Sequence, residues 1–310
     1  MFYSLKTSLA KKRFDRKCRG ILQTPPLRTN DAPLRIATLI QHKDLTMYLL
    51  ACKSFYRHLQ EGKFAVINDG SLTKEDKALI KLHLDDPEIF SVDEISVGGL
   101  PKGSCWERLV KVLDLSTDNY VIQLDADTLT LSDIPEILNA YRNNVAFTLG
   151  TSQGRSIISF NEATAFVASL DSTHVQIVAE KQFGDLSQEK CDRYVRGCAG
   201  FAGFPKGNKG REKLDWFSAE MEKRIGQKWH EWGSEQVASN FVVANEPGAF
   251  VLPHPQYASF YLHDSTSQLG PDQLYPTSAF LHFLGSFRFS KNKYEREGKR
   301  LISSFDAVGA

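Results

Sequence analysis

The sequence predicts an α/β fold: a mainly parallel, Rossmann-like sheet with helices on both faces and a smaller subregion after it. Three observations predict it. From residue 34 to residue 150, short apolar runs alternate with stretches of helical spacing. Asp69, Gly98–Gly99 and Asp125–Asp127 each follow an apolar run, so the carboxyl ends of parallel strands would gather them on one edge. At 310 residues, 42% apolar and 24% charged, the chain can bury a sizeable core.

The elements follow in order. Residues 1–33 form a basic segment and a linker marked by Pro25, Pro26 and Pro33. Leu34–Ile40 reads as a buried strand, and Asp44–Gln60 as a helix with apolar residues at 45, 48, 49, 52, 55, 56 and 59. Phe64–Ile67 is a second strand, ended by the turn signal Asn68-Asp69-Gly70-Ser71. Thr73–Leu84 is helical, opened by the capping pair Thr73 and Asp76. A weak strand is expected over Val92–Val97, then a helix over Ser104–Leu115 with Trp106, Leu109, Val110 and Leu113 on one face. Residues 120–124 form a strand. A helix starts at Asp133-Ile-Pro-Glu136, with Asp as N-cap and Pro in the first turn. Val145–Leu149 is another strand.

The second half is less regular. The glycine-punctuated run from Gly197 to Phe204 suggests a strand that another backbone or a substrate approaches closely. Residues 229–240 read as a loop entering a helix capped at Ser234. Residues 253–280 read as loop-rich, and a charged helix begins near Lys291. No repeat or low-complexity segment appears.

Composition excludes some classes. A formal charge of +1 gives no global nucleic-acid footprint. Five scattered cysteines without a CxxC pair suit reduced thiols and a cytoplasmic setting. No apolar run approaches the roughly 18 residues of a membrane span. Residues 1–20 hold Lys6, Lys11, Lys12, Arg13, Arg16, Lys17 and Arg19 against Asp15, with Phe2, Leu5, Leu9 and Phe14 interleaved. One reading is a basic amphipathic segment on the inner membrane face, and the other a frayed or solvated terminal helix.

The chemistry concentrates at Asp125 and Asp127. Side chains alternate along a strand, so two carboxylates at i and i+2 can face one point from its tip. Two hard oxygen ligands suit Mn2+ or Mg2+ with a phosphate-bearing substrate. Alone, Asp-x-Asp is a common pattern; here an apolar strand precedes it and a capped helix follows.

Residues 120–137, YVIQLDADTLTLSDIPEI, resemble the strand-DxD-helix signature of the GT-A-fold glycosyltransferases, and most closely glycosyltransferase family 8. Glu235-Gln236-Val-Ala-Ser-Asn240 is similar to that family's Asp-Gln-Asp-x-x-Asn motif, and His282-Phe-Leu-Gly285 to its late His-x-x-Gly. Val66-Ile-Asn-Asp69-Gly70-Ser71 is similar to the nucleotide-binding Asp-Gly-Ser of family 2. The resemblance covers about residues 34–290 but is specific in only four short patches. The chain departs from it at Cys198-Ala199-Gly200, where Asn-Ser-Gly is usual, at Val237, and after Gly285, where Arg288 stands in place of a Lys-Pro-Trp lysine.

The resemblance implies a metal-dependent hexosyltransferase that moves a sugar, with retention, from a nucleotide diphosphate such as a UDP-sugar to a glycan or glycolipid. Residues 34–150 would be the nucleotide-binding half and 151–310 the acceptor-side half of one domain. Asp125, Asp127 and His282 would hold the metal. Thr38, Asp69, Lys102, Gly285 and Arg288 would contact the donor, and Gln236 and Glu235 the reacting sugar. Bland readings stand beside these: His282 as a core histidine, Asp69 as a turn cap, Glu235 and Gln236 as an exposed helix start. His230, His254 and His263 lack ligand spacing, and Trp229 and Trp232 read first as packing. Two other functions remain open. Asp125-Ala-Asp127-Thr128 also fits the DxDxT nucleophile of HAD-type phosphatases, though no paired acids follow downstream. A sugar-nucleotide-binding protein without turnover is the other.

Overall fold

The structure, a computed structural model, describes residues 2–186, 191–260 and 277–306. His263 lies outside them, as does most of the stretch read as loop-rich. Within the described residues the chain runs α1 (Phe2–Cys18), β1 (Leu34–Ile40), α2 (Leu45–Leu59), β2 (Lys63–Asn68), α3 (Lys74–His83), β3 (Glu88–Ser91), α4 (Trp106–Leu115), β4 (Tyr120–Leu124), β5 (Thr128–Thr130), α5 (Pro135–Arg142) and β6 (Phe147–Gly150). It continues through β7 (Ile158–Ser159), α6 (Phe160–Val167), α7 (Val175–Glu180), β8 (Arg193–Tyr194), β9 (Gly197–Phe204), α8 (Gly210–Ile225), α9 (Ser234–Ala244), β10 (Phe250–Val251), β11 (Tyr257–Ser259), β12 (Phe280–His282) and α10 (Lys293–Asp306). The class is α/β with mainly parallel pairing, as the alternation of elements predicts.

The chain forms two compact units. The first takes Met1–Ser91, Leu124–Leu138 and His254–Ala310. Its strands β1, β2 and β3 lie side by side and parallel, with Ile36 opposite Phe64 and Ile67 opposite Phe90. A three-stranded sheet, β11-β12-β5, pairs β11 with β12 in parallel and β12 with β5 antiparallel. Ile36, Leu49, Phe55, Phe64 and Leu129 are fully buried there. The apolar spacing that predicts α2 is what buries it, and its ordered linker is held from inside. Lys53 is buried, and its ammonium donates to the Thr24 hydroxyl and the Pro25 carbonyl, each at 2.7 Å.

The second unit takes Val92–Gln123 and Asn139–Pro253. Its strands are ordered β10-β6-β9-β4, with β10 parallel and β9 antiparallel to β6. The glycines of β9 answer close approaches inside this unit. A Cβ on Gly203 would collide with Phe147 and Tyr120, and one on Gly197 would come within 2.8 Å of Thr148 and Asn240. Trp229 is fully buried against Trp106 and Phe217, the packing role read for it.

Several elements differ from expectation. The third strand is Glu88–Ser91 rather than 92–97, because Asp93 and Glu94 end the run in a single 3-10 turn. The cap of α9 is Gly233 at φ 102°, and the Ser234 hydroxyl accepts from the Trp106 indole instead. Asp133 does not start α5; its carboxylate meets His58 and Pro135 opens the helix. The N-terminal segment is neither frayed nor solvated throughout, since Phe14, Cys18 and Ile21 are buried. α6, α7 and α8 lie where no helix is expected from spacing. The capping box Ser159 and Glu162 at the head of α6 was the overlooked signal.

Candidate active site

The first unit gathers four of the expected residues. Asp125 and Asp127 do not alternate on one strand, as expected. They lie in the turn between the end of β4 and β5, and the turn makes them converge. The Thr128 hydroxyl donates to the Asp125 carbonyl at 2.9 Å and fixes the start of β5. The antiparallel ladder then sets His282 opposite Thr128, one residue beyond Asp127. The Phe283 N–H donates to the Asp127 carbonyl at 2.8 Å and extends that pairing past the strand.

His282 Nε2 stands 3.1 Å from Asp127 Oδ1 and 3.8 Å from Asp125 Oδ2. One ligand atom from each of the three residues lies within 4.8 Å of the others. Ligands about 2.1 Å from one Mg2+-sized ion lie within about 4.2 Å of each other, so a shift of under about an ångström would close the set. Two carboxylates and an imidazole are a mixed oxygen and nitrogen donor set that suits Mn2+. Arg288 completes the cluster: its Nη2 meets Asp127 Oδ2 at 2.5 Å, and its Nε donates to the Phe283 carbonyl at 3.1 Å.

Burial alone would raise the Asp127 carboxyl. The charge and hydrogen bond of His282 and the charge of Arg288 outweigh it, so Asp127 is held below the usual carboxylate value. Arg288 is opposed by burial but held above its ordinary value by Asp127, with Tyr294 and Asp44 adding to the effect. Asp44 is a residue that sequence reasoning missed. Burial raises its carboxyl, Lys11, Arg288 and Lys43 pull it down, and its Oδ1 is buried without a hydrogen-bond partner. It closes the 3-10 turn His42–Asp44 between β1 and α2, four residues past the strand end.

The other expected residues are placed as follows. Thr38 is buried, with its hydroxyl donated to the Leu124 carbonyl at 2.7 Å, so it supports the residue before Asp125. Asp69 is half-buried at the end of β2, and its carboxylate accepts from the Ser71 N–H and hydroxyl at 2.9 and 2.6 Å. Gly285 is exposed at φ 48°, a left-handed conformation with open space where a side chain would stand.

Lys102, Glu235 and Gln236 belong to the second unit. Lys102 is exposed and Gln236 half-buried in the first turn of α9. Glu235 is not an exposed helix start. It is buried, and both carboxyl oxygens lie 3.2 Å from Arg108 Nη2 on α4. Arg108 is the second residue that sequence reasoning missed. Its signal was a cation on the apolar side of a helix, next to Leu109. His230 pairs with Glu222 at 2.8 Å, away from any ligand role.

No protein-family model and no curated protein matches the chain. Solved structures do match. The bifunctional glycosyltransferase WbbM is 14% identical over 89% of this chain and 53% of its own, with a TM-score of 0.52. The glycosyltransferase GlyE of Streptococcus pneumoniae TIGR4 is 12% identical over 90% and 64%, also at 0.52. An active-site mutant of LgtC is 11% identical over 88% and 95%, at 0.50. The likeness is one of fold, and the fold is the GT-A fold. Among the described residues no helix is long and apolar enough to cross a membrane.

Proposed function

We propose that the chain is a metal-dependent glycosyltransferase that takes a sugar from a nucleotide diphosphate, a UDP-sugar in the first instance, and retains its anomeric configuration. The observation that carries this reading is the convergence of Asp125, Asp127 and His282 beside Arg288 in a GT-A fold. Those three residues would hold Mn2+ or Mg2+, which when bound offsets the negative charge that builds on a departing diphosphate. The rest is the work of side chains. Asp127, buried and ionised, keeps His282 and Arg288 in one orientation. Arg288 offers the diphosphate a planar cation, and the exposed Lys102 a point charge. Thr38 holds the residue that leads into the ligand turn, and Gly285 leaves backbone open to a phosphate. The Asp69 carboxylate, already shaping its turn, would accept from the ribose or base. Glu235, fixed by Arg108, would orient the sugar hydroxyls, and Gln236 would face the anomeric carbon. The acceptor is a glycan or glycolipid hydroxyl.

The outward face of α1, with Lys12, Arg16 and Lys17 exposed beside Leu9 and Arg19 exposed just past its end, supports peripheral contact with an anionic membrane. The phosphatase reading is weaker, because a DxDxT acid must be free to exchange a proton and Asp127 is engaged by both His282 and Arg288.

The test is a thermal shift with UDP and Mn2+ together, followed by UDP release from UDP-sugars. The wild-type chain should be stabilised, by about 2.7 kcal/mol at a hundredfold excess over Kd, and Asp127→Asn should not respond. A protein indifferent to UDP and Mn2+ that hydrolyses a phosphomonoester would overturn the proposal. Binding without any UDP release would leave the non-catalytic alternative.

A further inference from the structure

Tyr294, in the first turn of α10, is fully buried in an aromatic stack within the first unit. One ring face lies on Phe283, with centroids 4.4 Å apart and planes 10° from parallel. Phe14 of α1 lies 4.3 Å from the Tyr294 centroid, tilted by 32°. Both ends of this stack lead somewhere. Phe283 follows His282, and its N–H is the donor to the Asp127 carbonyl. The Tyr294 hydroxyl reaches the Ala126 carbonyl at 3.4 Å, in the residue between the two carboxylates. A buried ring that only filled space would need no hydroxyl, and a buried hydroxyl without a partner would destabilise the core. This one is aimed at the peptide that sets the spacing of Asp125 and Asp127.

The N-terminal helix braces the stack from behind. Arg13 bridges to Glu295, next to Tyr294, at 2.8 Å. One turn further, α1 and α10 approach closely: a Cβ on Gly298 would stand 3.1 Å from Cys18 Sγ. Phe14 and Cys18, four residues apart on α1, thus meet Tyr294 and Gly298, four residues apart on α10.

We propose that Tyr294 is a positioning residue for the metal ligands, and that Phe14 makes α1 part of the scaffold that holds them. The proposal rests on the metal-site reading above. Partners that orient ligands from behind typically change metal affinity by 10- to 100-fold when lost. The 3.4 Å bond places Tyr294 at the weak end, so Tyr294→Phe should raise the Kd for Mn2+ about tenfold. Phe14→Leu keeps an apolar side chain but loses the ring, and should raise it by a smaller factor.

The experiment is a Mn2+ titration of the full chain without nucleotide, followed by the electron paramagnetic resonance of free Mn2+. Each variant is also melted without metal. The metal concentration for half-maximal UDP release should rise in both variants, with kcat at saturating metal little changed. Tyr257→Phe is the control. It removes another buried hydroxyl of the same unit, one that donates to Glu136 at 2.7 Å, and should leave the Mn2+ Kd unchanged. A wild-type chain that binds no Mn2+ would sink the metal-site reading and this inference with it. A wild-type chain that binds, with Tyr294→Phe binding equally well, would overturn this inference alone. Loss of affinity in Tyr294→Phe but not in Phe14→Leu would remove α1 from it.

Discussion

Replacing Glu235 by alanine takes from Arg108 the carboxylate that faces it inside the second unit. Arg108 Nη2 stands 3.2 Å from each Glu235 carboxyl oxygen, and the two side chains are 7% and 5% exposed. A unit pair at that separation interacts by about 5 kcal/mol at an effective dielectric of about 20. Breaking a buried pair from one side costs about 3–5 kcal/mol in practice, the same range. Glu235→Ala should therefore lower the unfolding free energy by about 3–5 kcal/mol in urea, with the slope against denaturant unchanged. Removing both charges is a different perturbation, because the cation leaves together with the carboxylate that faces it. Arg108→Met with Glu235→Leu should return to within about 2 kcal/mol of wild type. Stability and turnover then separate: the double variant folds, but under the proposed function releases little UDP from a UDP-sugar. A loss below about 1 kcal/mol in the single variant would refute the burial argument. A double variant with full turnover would remove Glu235 from the mechanism.

His83 should give the first unit an acid-side weakness. It is 2% exposed, and burial, with the charge of Lys53 adding to it, lowers its pKa from 6.5 to about 4. Between those values the unfolded chain binds the proton and the folded chain does not, so stability falls as pH drops from 6.5 toward 4 and is level above that window. The fall attributable to His83 is about 2–3 kcal/mol, and urea unfolding at pH 4.5 and 7 should show a smaller difference in His83→Leu; an identical difference would refute it. In the N-terminal segment, Lys12→Glu, Arg16→Glu and Arg19→Glu together should weaken binding to phosphatidylserine vesicles by about 100-fold or more, at about 1 kcal/mol per cation replaced, while UDP release is kept. Unchanged vesicle binding would exclude the membrane contact.

The cluster of Asp125, Asp127 and His282 was legible because each part has a local signature. An apolar run ends at Leu124, carboxylates follow, and a Pro-opened helix starts soon after. What the sequence did not show was how the carboxylates converge, since a strand tip and a turn both bring i and i+2 together. Glu235 shows the complementary limit. Nothing on α9 marks it as buried; the cation it faces, Arg108, lies 127 positions earlier. The docking of α1 was hidden for the same reason. Phe14 and Cys18 share a face at helical spacing, but the face has meaning only against Tyr294 and Gly298. Asp44, at the head of α2, was missed because its neighbourhood to Arg288 joins positions 44 and 288 and leaves no local mark.

The first unit is assembled from three separate stretches of chain, and the last of them supplies His282. During synthesis from the amino terminus, the two carboxylates leave the ribosome long before their imidazole partner does. The strand that carries His282 is also the antiparallel partner of β5, so the ligand turn lacks its ladder until then. A nascent chain halted before residue 280 therefore holds two acids without the histidine and arginine that restrain them. Under the proposed function, metal capture should therefore wait until the strand carrying His282 has been made and paired with β5.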